Sequence, residues 1–73
     1  MPYVDVVTES AQRLKLLGDR GRIVLLDSLT LLDLIAELED ATQIEIPNSE
    51  IRADVFESVE SVAALLERLA ARK

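Results

Sequence analysis

The chain contains no cysteine and no histidine. That excludes a disulfide scaffold, a Cys or His metal site, and any nucleophile–histidine pair within the chain. Aromatic residues are nearly absent, Tyr3 and Phe56 alone, so aliphatic side chains must fill the core. Positive charge is scarce as well: 8 Lys and Arg against 14 Asp and Glu give a net charge of −6. That balance argues against nucleic acid and for a basic partner surface. No segment approaches the roughly 20 apolar residues that span a bilayer, and no basic n-region with an apolar h-region opens the chain. These absences predict a cytoplasmic protein with no membrane role.

What is present fits one small domain covering residues 1–73. Chains of this length bury only about 60% of their unfolded surface, so the core is thin. With 49% hydrophobic and 30% charged residues, the composition is globular rather than disordered. No repeat or low-complexity segment interrupts it.

Apolar periodicity predicts four helical stretches. In the first, Val4, Val7, Ala11, Leu14 and Leu17 form one stripe, and Gly18 follows as a natural C-cap. A loop then runs from about Gly18 to Leu26, with Ile23, Val24 and Leu25 expected to fold back on the core. The second helix starts at Asp27 or Ser28 and ends near Asp40 or Ala41. A connector from Thr42 to Asn48 follows, closed by Pro47, which disfavours helix at Ile46. A short helical turn is expected around Ser49 to Asp54, with Ile51 inward. The last helix takes Ser58 as N-cap and carries Val59, Val62, Leu65 or Leu66, and Leu69 on its stripe. Strands at Arg22 to Leu26 and Gln43 to Ile46 lack a hairpin signal, and a lone pair is marginal. The expected fold is all-α, a small bundle of three longer helices and one short one.

The second helix is apolar on two faces. Leu31, Leu34, Ile35 and Leu38 supply a core stripe at i, i+3, i+4, i+7. Leu29, Leu32 and Ala36 fall on another face, beside an acidic row of Asp33, Glu37 and Asp40. Leucines rimmed by carboxylates fit a docking surface for a basic, partly apolar partner. The plainer alternative is a central helix packed on both sides.

Ser28 stands at the head of this helix, where unpaired N–H groups and the positive end of the macrodipole favour a phosphate. Taken alone, Asp27 or Ser28 could simply be a helix cap, worth about 1 kcal/mol. The wider pattern runs from Leu26-Asp27-Ser28-Leu29 through Leu38-Glu39-Asp40 to Ile44-Glu45-Ile46-Pro47 and a final helix opening Ser58-Val59. It resembles the acyl/peptidyl carrier proteins over roughly Leu26 to Leu69. The family's glycine three residues before the serine is Leu25 here, and the loop ahead of it is short for the family.

The resemblance implies a non-enzymatic carrier. It implies a 4′-phosphopantetheine arm on Ser28, with Asp27 helping to orient the serine and hold the metal used in loading. It assigns apolar partner contacts to Leu29, Leu32 and Ala36 and ionic ones to Asp33 and Glu37. The implied partners are a phosphopantetheinyl transferase and the enzymes that load and use acyl or aminoacyl cargo, met by a carrier that is itself monomeric. The rival from another class is an unmodified helical interaction module, dimer or adaptor. An enzyme using Asp27, Asp33 or Glu37 for acid–base work is disfavoured, because a thin fold offers no evident cleft and a helical carboxylate row is usually a solvated face.

Overall fold

The computed structural model of the chain describes residues 3–24 and 28–72. Three α-helices carry the fold: α1 (Val4–Arg13), α2 (Ser28–Thr42) and α3 (Val59–Ala71). Among the described residues there is no strand, only isolated bridges between Leu17 and Ile23 and between Arg22 and Ser58. The all-α expectation holds. In place of a short fourth α-helix there are 3-10 turns at Asn48–Glu50 and Val55–Glu57. Ile51 leaves the first of these in an extended conformation (φ −88°, ψ 93°), so the helical path breaks there, while its side chain still packs on the core.

One cluster forms that core. α1 contributes Val7, and Leu16 follows from the loop. Leu34, Ile35 and Leu38 come from α2, and Ile44 and Ile46 from the connector. α3 contributes Val59, Val62, Ala63, Leu65, Leu66 and Leu69. The choice between Leu65 and Leu66 resolves to both, since each is buried. Phe56, on the second 3-10 turn, is fully buried and is the aromatic member of the cluster. Its role had no periodic signal around it.

α1 ends four residues before the apolar stripe does. Lys15, at φ 61°, turns the chain out of the helix. Its N–H donates to the Gln12 carbonyl at 3.0 Å, and the Leu16 N–H donates to the Ala11 carbonyl at 2.7 Å. That pair of bonds is the Schellman pattern, and Ala11 and Leu16, the two residues its longer bond joins, are both buried. The cap is therefore built on lysine, and the expectation of Gly18 as C-cap is corrected. Leu16 enters the core while Leu17 stays half-buried.

The loop after α1 is stitched down on both sides. Gly18 N–H donates to the Arg22 carbonyl at 2.7 Å, Val24 N–H to Leu16 at 2.7 Å, and Ile23 N–H to Glu57 at 2.8 Å. Ile23 is buried as expected, but Val24 is 45% exposed because its backbone bond to Leu16 leaves its side chain on the outer side of the loop. Leu25, the third residue expected to fold back, lies outside the described residues.

α3 begins as the sequence predicts. The Ser58 hydroxyl accepts from the Ser61 N–H, and the Ser61 hydroxyl accepts from the Ser58 N–H, each at 3.2 Å. This reciprocal capping box satisfies donors that would otherwise be orphaned at the helix start.

Candidate functional site

The candidate site is the head and outer face of α2. Ser28 is the first residue of a 15-residue helix, so the positive end of the helix macrodipole lies at its first turn. That turn contains no acidic residue, and the last turn contains no basic one. The charge order along α2 is thus opposite to what the macrodipole favours. Its carboxylates, Asp33, Glu37, Glu39 and Asp40, all lie beyond the first turn, and no Lys or Arg occurs between Ser28 and Thr42. An anion at the helix head would suit this dipole. Asp27, expected beside Ser28, lies outside the described residues.

Burial divides α2 along its length. Leu34, Ile35 and Leu38 are buried and Leu31 packs partly against the core. Leu29 is 69% exposed and Leu32 56%, and Ala36 is exposed on the same side. A helix packed on both sides would have covered them. Asp33 and Asp40 are exposed beside these leucines. Spacings of three and four residues bring Leu29, Leu32, Asp33, Ala36 and Glu37 onto one face below Ser28.

Glu37 differs from the rest of that face. Its Oε2 accepts a hydrogen bond from Arg13 at 2.7 Å, and its side chain is only 29% exposed. Glu39 is also engaged: its Oε2 accepts the Ile46 N–H at 2.8 Å and ties the connector to α2. The freely solvated acids of the face are Asp33 and Asp40, fewer than the row in the sequence suggests. Neither tether left a signal in the sequence, because the contact between Arg13 and Glu37 depends on how α1 crosses α2.

The described residues hold no cluster of three or more acidic groups able to bind a metal ion, and no helix among them is long and apolar enough to cross a membrane. The phosphopantetheine attachment site family matches residues 26–69, more than half of the chain, and the chain belongs to that family. It is a non-catalytic carrier protein, and the family attaches 4′-phosphopantetheine covalently to a serine. Such carriers work with a phosphopantetheinyl transferase and with biosynthetic enzymes. No curated protein and no solved structure matches the chain.

Proposed function

We propose that Ser28 is the serine that receives the arm, and that residues 1–73 act as one carrier domain delivering acyl or aminoacyl cargo. The observation that supports Ser28 above the other serines is its position as first residue of α2, with no acid in the turn that follows. A phosphodiester there meets the positive end of the helix macrodipole. Ser58 and Ser61, by contrast, spend their hydroxyls on each other and on the cap of α3.

Asp27 orients the serine and helps hold the metal ion during loading. With no histidine in the chain, the Ser28 hydroxyl depends on the transferase for its deprotonation. Once bound, the arm supplies a thiol on which cargo is held as a thioester. Below it, Leu29, Leu32 and Ala36 give partner enzymes an apolar contact, and Asp33 and Glu37 an ionic one. An exposed apolar strip with an acidic border suits a transient partner with cationic edges, since charge speeds encounter while the apolar area stays small. The carrier works as a cytoplasmic monomer, meeting each enzyme in turn while the tether keeps cargo at high local concentration.

Intact mass after incubation with coenzyme A, Mg²⁺ and a promiscuous phosphopantetheinyl transferase tests the site. The wild type should gain one phosphopantetheine and Ser28→Ala none, with helicity unchanged. A gain on Ser28→Ala would move the attachment to another serine. No gain on either would favour the unmodified interaction module, for which a stable dimer in size-exclusion would be the positive sign.

A further inference from the structure

An open cleft of about 750 Å³ lies beside the loop between α1 and α2, on the chain segment that leads to Ser28. Its wall runs from Gly18 to Val24 and is closed by Glu57 and Ser58 at the start of α3. Backbone bonds from Gly18, Ile23 and Val24 hold that wall at three points. A β-carbon on Gly18 would stand 3.0 Å from Val24 Cγ2, so any larger residue there would push the Val24 side chain by a few tenths of an ångström.

The lining is chemically mixed. Arg20 and Arg22 are exposed and have no ion-pair partner among the described residues, and Asp19 and Glu57 balance them. Between these charges lie the Val24 side chain, half in solvent, and Ile23. Such a lining suits neither a long fatty chain, which needs continuous apolar walls, nor a cargo of one charge sign. It matches a neutral amphiphilic chain with amide donors and acceptors and a small branched apolar group.

We propose that this cleft holds the phosphopantetheine arm when no partner enzyme is docked, the inference resting on Ser28 as the attachment site. The arm has that make-up, with two amides, a hydroxyl and a geminal dimethyl carbon. Val24 is four residues from Ser28, so their Cα atoms are no more than about 14 Å apart, while the extended arm reaches about 16 Å at ordinary bond lengths. In the cleft, the dimethyl group covers Val24, and the amides meet the guanidinium groups of Arg20 and Arg22 and the carboxylates of Asp19 and Glu57. The arm is then sheltered on the loop side of Ser28 and leaves the α2 face free for a partner.

The test compares amide NMR spectra of the apo protein and the same chain loaded with unacylated phosphopantetheine, its mass confirming complete loading. Loading should shift the amides of Gly18, Val24 and Ser58 as well as those of the first turn of α2. The arm's methyl protons should give cross-peaks to the Val24 methyls. In loaded Val24→Lys, where a charge stands over the apolar floor, the shifts at Gly18 and Ser58 should be lost. Shifts confined to the first turn of α2, or moved to Leu29, Leu32 and Ala36, overturn the proposal, as do cleft shifts that need an acyl group on the thiol. A chain that takes up no arm by mass overturns both this proposal and the assignment of Ser28, whereas full loading without cleft shifts overturns this one alone.

Discussion

Arg13, in the last turn of α1, donates to Glu37 Oε2 on α2 at 2.7 Å, joining the packed pair of helices on the border of the exposed leucines. The pair is double-edged. It stabilises little, because Arg13 is 65% exposed and exposed pairs contribute about 0.2–1 kcal/mol. Yet it holds one of the carboxylates that a basic partner would meet.

Arg13→Gln should therefore lower stability by less than about 1 kcal/mol while speeding association with a basic partner enzyme several-fold at low salt. The gain should shrink toward wild type as ionic strength rises and the Debye length shortens. Asp33→Lys with Glu37→Lys should slow association in the same assay and leave helicity intact. An Arg13→Gln variant that associates no faster would remove Glu37 from the docking contacts.

A second prediction concerns Lys15, held at φ 61° to end α1. A residue with a β-carbon is strained there by about 1 kcal/mol or more, and glycine is not. Lys15→Gly should raise the unfolding free energy by about 0.5–1 kcal/mol despite its more flexible unfolded chain, because relief of strain exceeds that entropy. Lys15→Ile, β-branched, should lower it. Urea unfolding followed by circular dichroism would measure both.

The same residue explains where the sequence was readable and where it was not. Helical period alone located the buried stripe of α2 and the face of Leu29, Leu32 and Ala36, since burial follows a 3.6-residue repeat. Ser58 was legible as a cap because its hydroxyl bonds locally. α1 was read four residues too long, because Leu14 and Leu17 continue its stripe and lysine carries no stop signal. Gly18, which looked like the stop, instead lies beyond the cap and packs closely against Val24. Phe56 and the Arg13–Glu37 pair depend on contacts between segments far apart in the chain, which no local pattern encodes. The motif around Ser28 was legible as a family resemblance, but its flank at Leu25 to Asp27 lies outside the described residues.

Phe56 gives the largest expected effect. It is fully buried in a core that otherwise consists of aliphatic side chains. Truncating a buried phenylalanine typically costs about 3–5 kcal/mol. A 73-residue chain has about 4–11 kcal/mol in all at typical stability per residue. Phe56→Ala should leave a substantial unfolded fraction at 37 °C, and Phe56→Leu should recover most of the loss. Thermal unfolding by circular dichroism checks the order; a well-folded Phe56→Ala would mean that the 3-10 turns collapse onto the gap.

Glu39 separates two opposed effects at one position. Its carboxylate sits in the last turn of α2, where negative charge is unfavourable by about 0.3–1 kcal/mol. It also accepts the Ile46 N–H at 2.8 Å, beside a side chain that is 5% exposed. Glu39→Gln keeps a side-chain oxygen for that N–H and removes the charge, so the weaker bond and the relieved dipole nearly cancel. It should unfold within about 0.5 kcal/mol of wild type. Glu39→Ala also removes the charge but leaves the Ile46 N–H without its partner, and should lose about 1–2 kcal/mol. Chemical denaturation of the two variants separates the contributions. If Ala and Gln lose the same amount, the hydrogen bond contributes nothing, and Ile46 is held in the core by packing alone.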